Sequence, residues 1–508
     1  MHRKNIRRCL SFLYIIALLF GAFALPSCAE EEFFDTASFA GKRIAVETGS
    51  TCAACVDMFI EQPDVRFYSS VPDMITAICS GKVDACIADE PIALYLSAEV
   101  EGLRVEPLDS SADYIAFACG KDAAGKALAA QLNAFILGLE ESGALERLQN
   151  KWFRGTEEER TLEDYSKYPA TNGTLTIATS AAYAPFEYVK DNRIVGYDIE
   201  LVTLFCKEYG YAPAISNVDF SGIVTGISTG KYDIGAAGLT VTAERKESVT
   251  FTEPVYVSRY ALVFMEDTVA SAGGGIVESF KKTFLTEERW KTFANGALVT
   301  LEITVISILA GTALGFLWYL LCRKGNRGIN AVSLGFRRLI HGMPTVVILM
   351  ILYYIIFGSA SISETLTAII GFSILFACYM IGAMETGVRS VDPGQLQAAK
   401  ALGYTDTRAF FKIIFPQAAG FVWPSYIEEI SSHIKATSIV GYIAVVDITK
   451  AGDIIRGRTY DAFFPLISVA VIYFLMAAVL KLLLRTVRKA TDPYRRTKAG
   501  ILRGITEK

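Results

Sequence analysis

The sequence predicts a multi-domain protein, an α/β front half followed by an all-α transmembrane domain of about five spans. Two observations predict it. Of 508 residues, 52% are hydrophobic and yet 20% are charged, too apolar for a purely soluble chain and too charged for a purely membrane one. The two textures are also separated. Strand-like and helix-like patterns alternate up to about residue 265, and long apolar runs begin near Asn295. A net charge of −4 and three His residues point away from nucleic acid and from a His-based metal site.

The first element, residues 1–29, has a basic start, an apolar run and small residues near its end. That is the layout of a secretory signal. "LPSC", ending at Cys28, resembles a lipoprotein box, "SCA" would suit an ordinary signal peptidase, and an uncleaved anchor is the third option. All three place the next segment outside the cytoplasm. There, Cys52 and Cys55 in "STCAACVDM" form a C-x-x-C pair. Without a thioredoxin-like neighbourhood they read as small apolar residues in the first turn of a helix, joined as a disulfide or free.

"ACGKDAAGKAL", residues 118–128, places Gly120, Gly125 and Lys126 at the spacing of a nucleotide-binding P-loop, and "ACIADE" upstream echoes a magnesium-holding strand. Ala127 stands where Ser or Thr would ligate magnesium, and Asp89 precedes the loop instead of following it. The sequence predicts a helix start with Asp122 as N-cap, and no enzyme.

In the back half, apolar runs at about 295–321, 339–357, 365–386, 424–446 and 463–484 are each near the ~20 residues a bilayer requires. Arg323, Lys324, Arg327, Arg337 and Arg338 follow the first run; Arg389, Lys400, Arg408 and Lys412 follow the third; Arg485 and Arg488 follow the fifth. Basic residues stay inside, so the front half is extracytoplasmic and the C-terminus cytoplasmic, in a multi-pass cell-membrane protein. Between the third and fourth runs, Asp392 and Pro393 open a helix, Gly403 breaks it, and a second begins near Thr405 or Asp406.

That helix-Gly-helix module resembles the EAA loop of the membrane subunits of ATP-binding-cassette importers. Gln397, Ala398, Ala399, Leu402, Gly403 and Pro416 match, with Gln397 where the family usually has Glu. "RRLIHGMPTVVILMILYY" and "RWKTFANGALVTLEIT" resemble its polar amino-acid branch. The resemblance implies docking to a separate cytoplasmic ATPase in two copies, which uses ATP and magnesium while this chain binds no cofactor. It also implies a homodimer formed through the permease domain.

The front half resembles extracytoplasmic amino-acid-binding proteins, which implies a two-lobed, periplasmic-binding-protein-like fold of type II. "YAPFEY", "GYDIEL", "KYDIGAAGLTVTAER" and "FTEPVY" match the first lobe. They imply that Arg245 holds the ligand α-carboxylate, aided by Gly238 and Thr240, with Tyr183 and Phe220 sandwiching the side chain. The earlier "ETGST" and "ADEP" match the second lobe, implying Ser50 and Thr51 on the carboxylate and Asp89 on the α-ammonium. "ALERLQNKWFRG" matches the family's tail. The order is therefore second lobe and tail (33–155), linker (156–172) and first lobe (173–268), which reads as a circular permutation opened at a hinge crossing between about Met265 and Phe33, with two degenerate half-domains as the rival reading. A tether (269–289), the permease domain (290–490) and a cytoplasmic tail (491–508) follow. Together these predict an amino-acid importer subunit combining receptor and permease. The alternative is a ligand-gated channel or sensor on the same binding domain, but the chain has no filter-like segment. Ser180 stands where related binders of cationic amino acids often place an acid, so the sequence leaves the amino acid open.

Overall fold

The computed structural model describes residues 36–110, 112–266, 276–323, 325, 327–358 and 362–491. The signal segment 1–29, the tether glycines Gly273 to Gly275 and nearly all of the 491–508 tail lie outside the described residues.

Residues 36–266 form two five-stranded sheets of one design. In the first, parallel strands Asp64–Tyr68, Arg43–Glu47 and Ala85–Asp89 are followed by Tyr260–Met265 and Leu103–Pro107. Tyr260–Met265 runs antiparallel between its neighbours. In the second, parallel strands Ala212–Asn217, Thr174–Thr179 and Ile234–Gly235 are followed by Ala118–Cys119 and Thr250–Phe251. Here Ala118–Cys119 is the antiparallel insert. Each sheet thus takes its fourth strand from chain that otherwise belongs to the other. The two crossings pair as a ribbon, Asp113–Ile115 against Tyr256–Ser258. The expected division shifts accordingly. Tyr260–Met265 completes the sheet of the earlier segment, and residues 118–155 belong with the later one. The hinge crossing precedes Tyr260, so the opening expected there lies inside a lobe. The sequence could not show this, because an apolar strand such as "YALVFM" fits either sheet.

Several local predictions hold in detail. Asp122 caps Ala123–Glu141 by accepting from the Gly125 amide at 2.8 Å. A Cβ on Gly125 would come within 2.3 Å of the Gly120 carbonyl oxygen, so this glycine serves a tight helix start. Cys52 and Cys55 are buried and free in helix Thr51–Phe59. The 156–172 linker is pinned to its lobe, with Glu163 paired to Lys207 at 2.5 Å and the Tyr165 hydroxyl donating to the Ile194 carbonyl at 3.1 Å.

Among the described residues, three helices are long and apolar enough to cross a membrane: Thr286–Cys322, Glu364–Arg389 and Phe463–Thr486. A fourth passes if Arg327–His341 and Thr345–Ile356, bent by 107°, count as one span. The run expected at 424–446 lies instead in helix Phe415–Ala436, which carries Glu428, Glu429 and Lys435, and the chain then tightens into the turns of Thr437–Ile443. Within the tether, helix Ile276–Phe284 packs Phe280 and Phe284 against Phe464.

The helix-Gly-helix module forms as predicted. Asp392 caps Pro393–Ala401 through the Gly394 amide. Gly403 turns the chain at φ +79°, a left-handed angle that suits glycine. Thr405 caps the next helix. The loop lies at the far end of the membrane domain from the lobes. Gly296, near the start of the 33-residue helix Trp290–Cys322, packs on Asp447, while Arg323 at its end bonds the Asp406 carbonyl at 3.0 Å. A helix that long spans about 50 Å.

Candidate ligand cleft and its contact with the membrane domain

The cleft forms where the strands of both sheets end. Open α/β sheets bind ligands outside the carboxyl ends of their strands. Here Glu47 and Asp89 are the last residues of strands Arg43–Glu47 and Ala85–Asp89. Ser50 caps helix Thr51–Phe59, accepting from the Ala53 amide at 3.3 Å. Gly238 and Thr240 follow the short strand Ile234–Gly235.

All eight residues expected from sequence line one small cavity: Ser50, Thr51, Asp89, Tyr183, Phe220, Gly238, Thr240 and Arg245. The space they enclose is about 10 Å³, near the volume of one water. The lobes are therefore closed on each other. Arg245 donates to the Thr240 carbonyl at 2.9 Å within its own lobe and to the Gly49 carbonyl at 2.8 Å across the cleft. Its guanidinium lies 5.5 Å from the centre of the Phe220 ring. The Tyr183 hydroxyl donates to Asp89 Oδ2 from the opposite lobe, and its ring covers Gly238, where a Cβ would come within 2.6 Å of Tyr183 Cε1.

The electrostatics are unusual for so closed a space. Asp89 is 4% exposed and its Oδ1 has no hydrogen-bond partner. Burial pushes its carboxyl up to about 7, against the pull of the Tyr183 hydroxyl. Burial also lowers the Arg245 guanidinium, while Asp113 raises it.

Two acids at the cleft, one behind its lining and one in it, were not among those expected. Asp113, on the hinge ribbon, accepts from the Thr240 and Tyr260 hydroxyls, each at 2.9 Å. Glu47 lines the cavity at 6% exposure. A charge closing the apolar strand "RIAVE" was its one visible signal. Ser180 lies elsewhere. It lines a cavity of about 90 Å³ just outside the cleft, between the lobes and helix Ile448–Thr459, together with Asp73, Asp219, Lys450 and Arg456.

Both lobes rest on the membrane domain. On one side, Tyr232, Ile223 and Ile227 join Leu349, Tyr353, Tyr354, Phe372 and Val440 in one buried apolar cluster. Within it the Tyr232 and Tyr353 hydroxyls meet, and Glu364 accepts from Tyr353 at 3.1 Å and from Ser216 at 3.3 Å. Helix Ile448–Thr459 then crosses the cleft mouth. Its Lys450 pairs with Asp219 at 2.9 Å and its Arg456 with Asp73 at 2.8 Å, so one helix holds a carboxylate from each lobe. In the docking loop, Gln397, Ala398 and Leu402 are exposed and Ala399 is buried.

The family model for bacterial extracellular solute-binding proteins, family 3, matches residues 175–418. That stretch opens on the strand Thr174–Thr179 and runs on into the membrane helices, whereas the strands that complete the two sheets lie upstream of residue 120. Among curated relatives, the probable amino-acid ABC transporter permease protein YckA of Bacillus subtilis is 30% identical over 202 residues, 39% of this chain and 88% of that protein. A putative glutamine transport system permease protein GlnP of Rickettsia conorii is 28% identical over 198 residues, 38% of this chain and 90% of that protein. The arginine-binding extracellular protein ArtP of Bacillus subtilis is 35% identical over 94 residues, 18% of this chain and 37% of that protein.

Proposed function

This chain belongs to the amino-acid ABC transporter permease family, and we propose that it is an importer subunit carrying its own receptor, in which a closed amino-acid cleft sits on the permease mouth. It combines a solute-binding domain with a membrane permease and acts as a transporter, not an enzyme. The carrying observation is helix Ile448–Thr459, whose Lys450 and Arg456 reach one acid on each lobe. Such a helix registers both lobes together only when the cleft is shut.

The roles within the cleft follow from its chemistry. Arg245 offers a planar fork of donors suited to an α-carboxylate, with the Gly238 amide, Ser50, Thr51 and Thr240 beside it. Asp89 takes the α-ammonium. Tyr183 and Phe220 face the side chain. The two sheets, alike in strand order and exchanging one strand each, support a type II domain whose chain order is permuted, with residues 156–172 joining what would otherwise be the ends. Chain termini that lie close together make such permutations tolerable.

Counting the bent pair and helix Phe415–Ala436 gives five spans. An odd number would put the lobes and the C-terminus on opposite sides of the cell membrane, and the basic residues near the docking loop favour a cytoplasmic loop and lobes outside. There the exposed Gln397, Ala398 and Leu402 would seat in a groove on a separate ATPase, with Ala399 and Gly403 shaping the turn. Two ATPase copies on a permease homodimer would supply ATP and magnesium chemistry, and this chain needs no cofactor of its own. The channel reading gives that loop no task.

The test is uptake by vesicles holding the full chain together with its ATPase. We expect ATP-dependent accumulation of an amino acid, lost without the ATPase. Currents or fluxes that need the amino acid but not ATP would establish the channel instead.

A further inference from the structure

The charge of the cleft narrows its ligand. Glu47 ends strand Arg43–Glu47, and its main chain is fixed because its carbonyl accepts from the Ser50 hydroxyl at 2.7 Å and the Ser50 amide at 3.1 Å. Its side chain enters the cavity wall beside Asp89, Tyr183, Phe220 and Arg245. At 6% exposure it is more than nine-tenths buried, and its carboxyl makes no hydrogen bond or ion pair among the described residues. The acids whose charge acts on it are Asp89 from the neighbouring strand, Asp73 from helix Val71–Cys79, itself paired with Arg456, and Glu187 from strand Glu187–Lys190. Tyr183 and Cys52 are the other titratable neighbours. The one cation acting on it is Arg245, already engaged with two carbonyls.

The inference rests on the receptor reading above. A zwitterionic amino acid adds no net charge. Its carboxylate is met by Arg245 and its ammonium by Asp89, so Glu47 is left over, and a buried charge needs a partner. A second positive charge on the ligand supplies one. The two aromatic rings that flank the space, Tyr183 and Phe220, also offer π-faces to a cation. We infer that Glu47 is the specificity-determining residue of the cleft and that the ligand is an α-amino acid with an ammonium or guanidinium side chain.

A pH signature follows. Burial, reinforced by Asp89 and Asp73 and opposed by Arg245, pushes the Glu47 carboxyl up to about 8. Below that pH the carboxyl is protonated before the ligand arrives, and a cationic side chain must displace the proton. Cation affinity therefore rises toward pH 8 by up to about tenfold per unit and levels off above. Asp89, pushed up to about 7, serves every amino acid alike. The ratio of cationic to neutral ligand affinity therefore isolates Glu47.

The experiment is calorimetric titration of the purified full chain with L-arginine, L-lysine, L-glutamine and L-glutamate at pH 6.5 and 8.5. At pH 8.5 arginine or lysine should bind at least about 100-fold tighter than glutamine. That advantage should shrink at least about tenfold at pH 6.5. Glu47→Gln should abolish both the advantage and its pH dependence. Tighter binding of glutamine or glutamate than of both cations would overturn the inference while leaving an amino-acid receptor in place. So would an arginine-to-glutamine ratio that ignores pH, a result that needs no variant to fold. Binding of none of the four at either pH would instead strike the receptor reading itself.

Discussion

The two lobes meet the permease in different ways. The later-sequence lobe, with strands Thr174–Thr179 and Ala212–Asn217, shares a buried apolar cluster with the membrane helices through Ile223, Ile227 and Tyr232. It adds the Tyr232–Tyr353–Glu364 chain of hydroxyls and carboxylate, and Lys231 donates to the Ile362 carbonyl at 3.0 Å. The earlier-sequence lobe meets the same domain mainly on helix Ile448–Thr459, through Asp73–Arg456 and the packing of Pro72 on Gly457. Apolar burial is non-directional and tolerates small motions, whereas an ion pair is made or lost over a few ångströms. The difference teaches a division of labour. In the proposed importer, one lobe would be a base fixed to the permease and the other a lid, whose arrival over the ligand would complete a charge pair that the permease can sense.

The largest expected effect lies where the lobes meet each other. Arg245 spans the cleft to the Gly49 carbonyl and, in the proposed receptor, would be the cation offered to a ligand carboxylate. Charge-assisted bonds of this kind contribute about 2–3 kcal/mol, so Arg245→Ala should weaken amino-acid binding by about 100-fold. Titration of the full chain measures this. Near-normal affinity would remove Arg245 from the site and leave the closure of the lobes unexplained.

A middle effect separates lid from base. Arg456→Ala breaks the pair to Asp73, leaving the ligand cavity untouched and Lys450–Asp219 intact. Removing one partner of a largely buried pair costs more than a surface pair would. We expect amino-acid-stimulated ATP hydrolysis by the assembled transporter to fall about tenfold, with ligand affinity unchanged within about threefold. Joint exchange, Asp73→Arg with Arg456→Asp, should restore part of the loss. Equal losses of affinity and stimulation would mean that helix Ile448–Thr459 shapes the cleft and does not sense it.

How much of this was legible in the sequence depends on whether a residue acts locally. Asp122, Asp392, Gly403 and Thr405 act on their own neighbours within a few positions, so caps and breaks were readable. The eight cleft residues were readable because their motifs carry a resemblance, and the fold brings them to one cavity from positions nearly 200 residues apart. Asp113, Glu47 and the helix of Lys450 and Arg456 were not readable. Asp113 matters through hydroxyls of Thr240 and Tyr260 far along the chain. Glu47 looks like an ordinary charged strand end until the other lobe closes over it. Lys450 and Arg456 look like basic residues of a polar helix. The exchange of Tyr260–Met265 and Ala118–Cys119 between sheets escaped for the same reason, since strand pairing is set by partners distant in sequence.

The smallest effect probes the base. Tyr353 is fully buried; its hydroxyl meets Tyr232 of the lobe and donates to Glu364. Tyr353→Phe keeps the ring, and with it the apolar cluster, and removes only the hydroxyl. Loss of these two buried hydrogen bonds costs about 2 kcal/mol, because Glu364 keeps its bond from Ser216 and the rings of Tyr354 and Phe372 still pack the site. Melting of the full chain should drop by a few degrees at most, and uptake by less than about threefold. A base held by apolar area should absorb that loss. If uptake collapses while the chain stays folded, the hydroxyl chain, and not the apolar cluster, couples this lobe to the permease. The base would then switch as the lid does, and the contrast between the lobes would be one of chemistry alone.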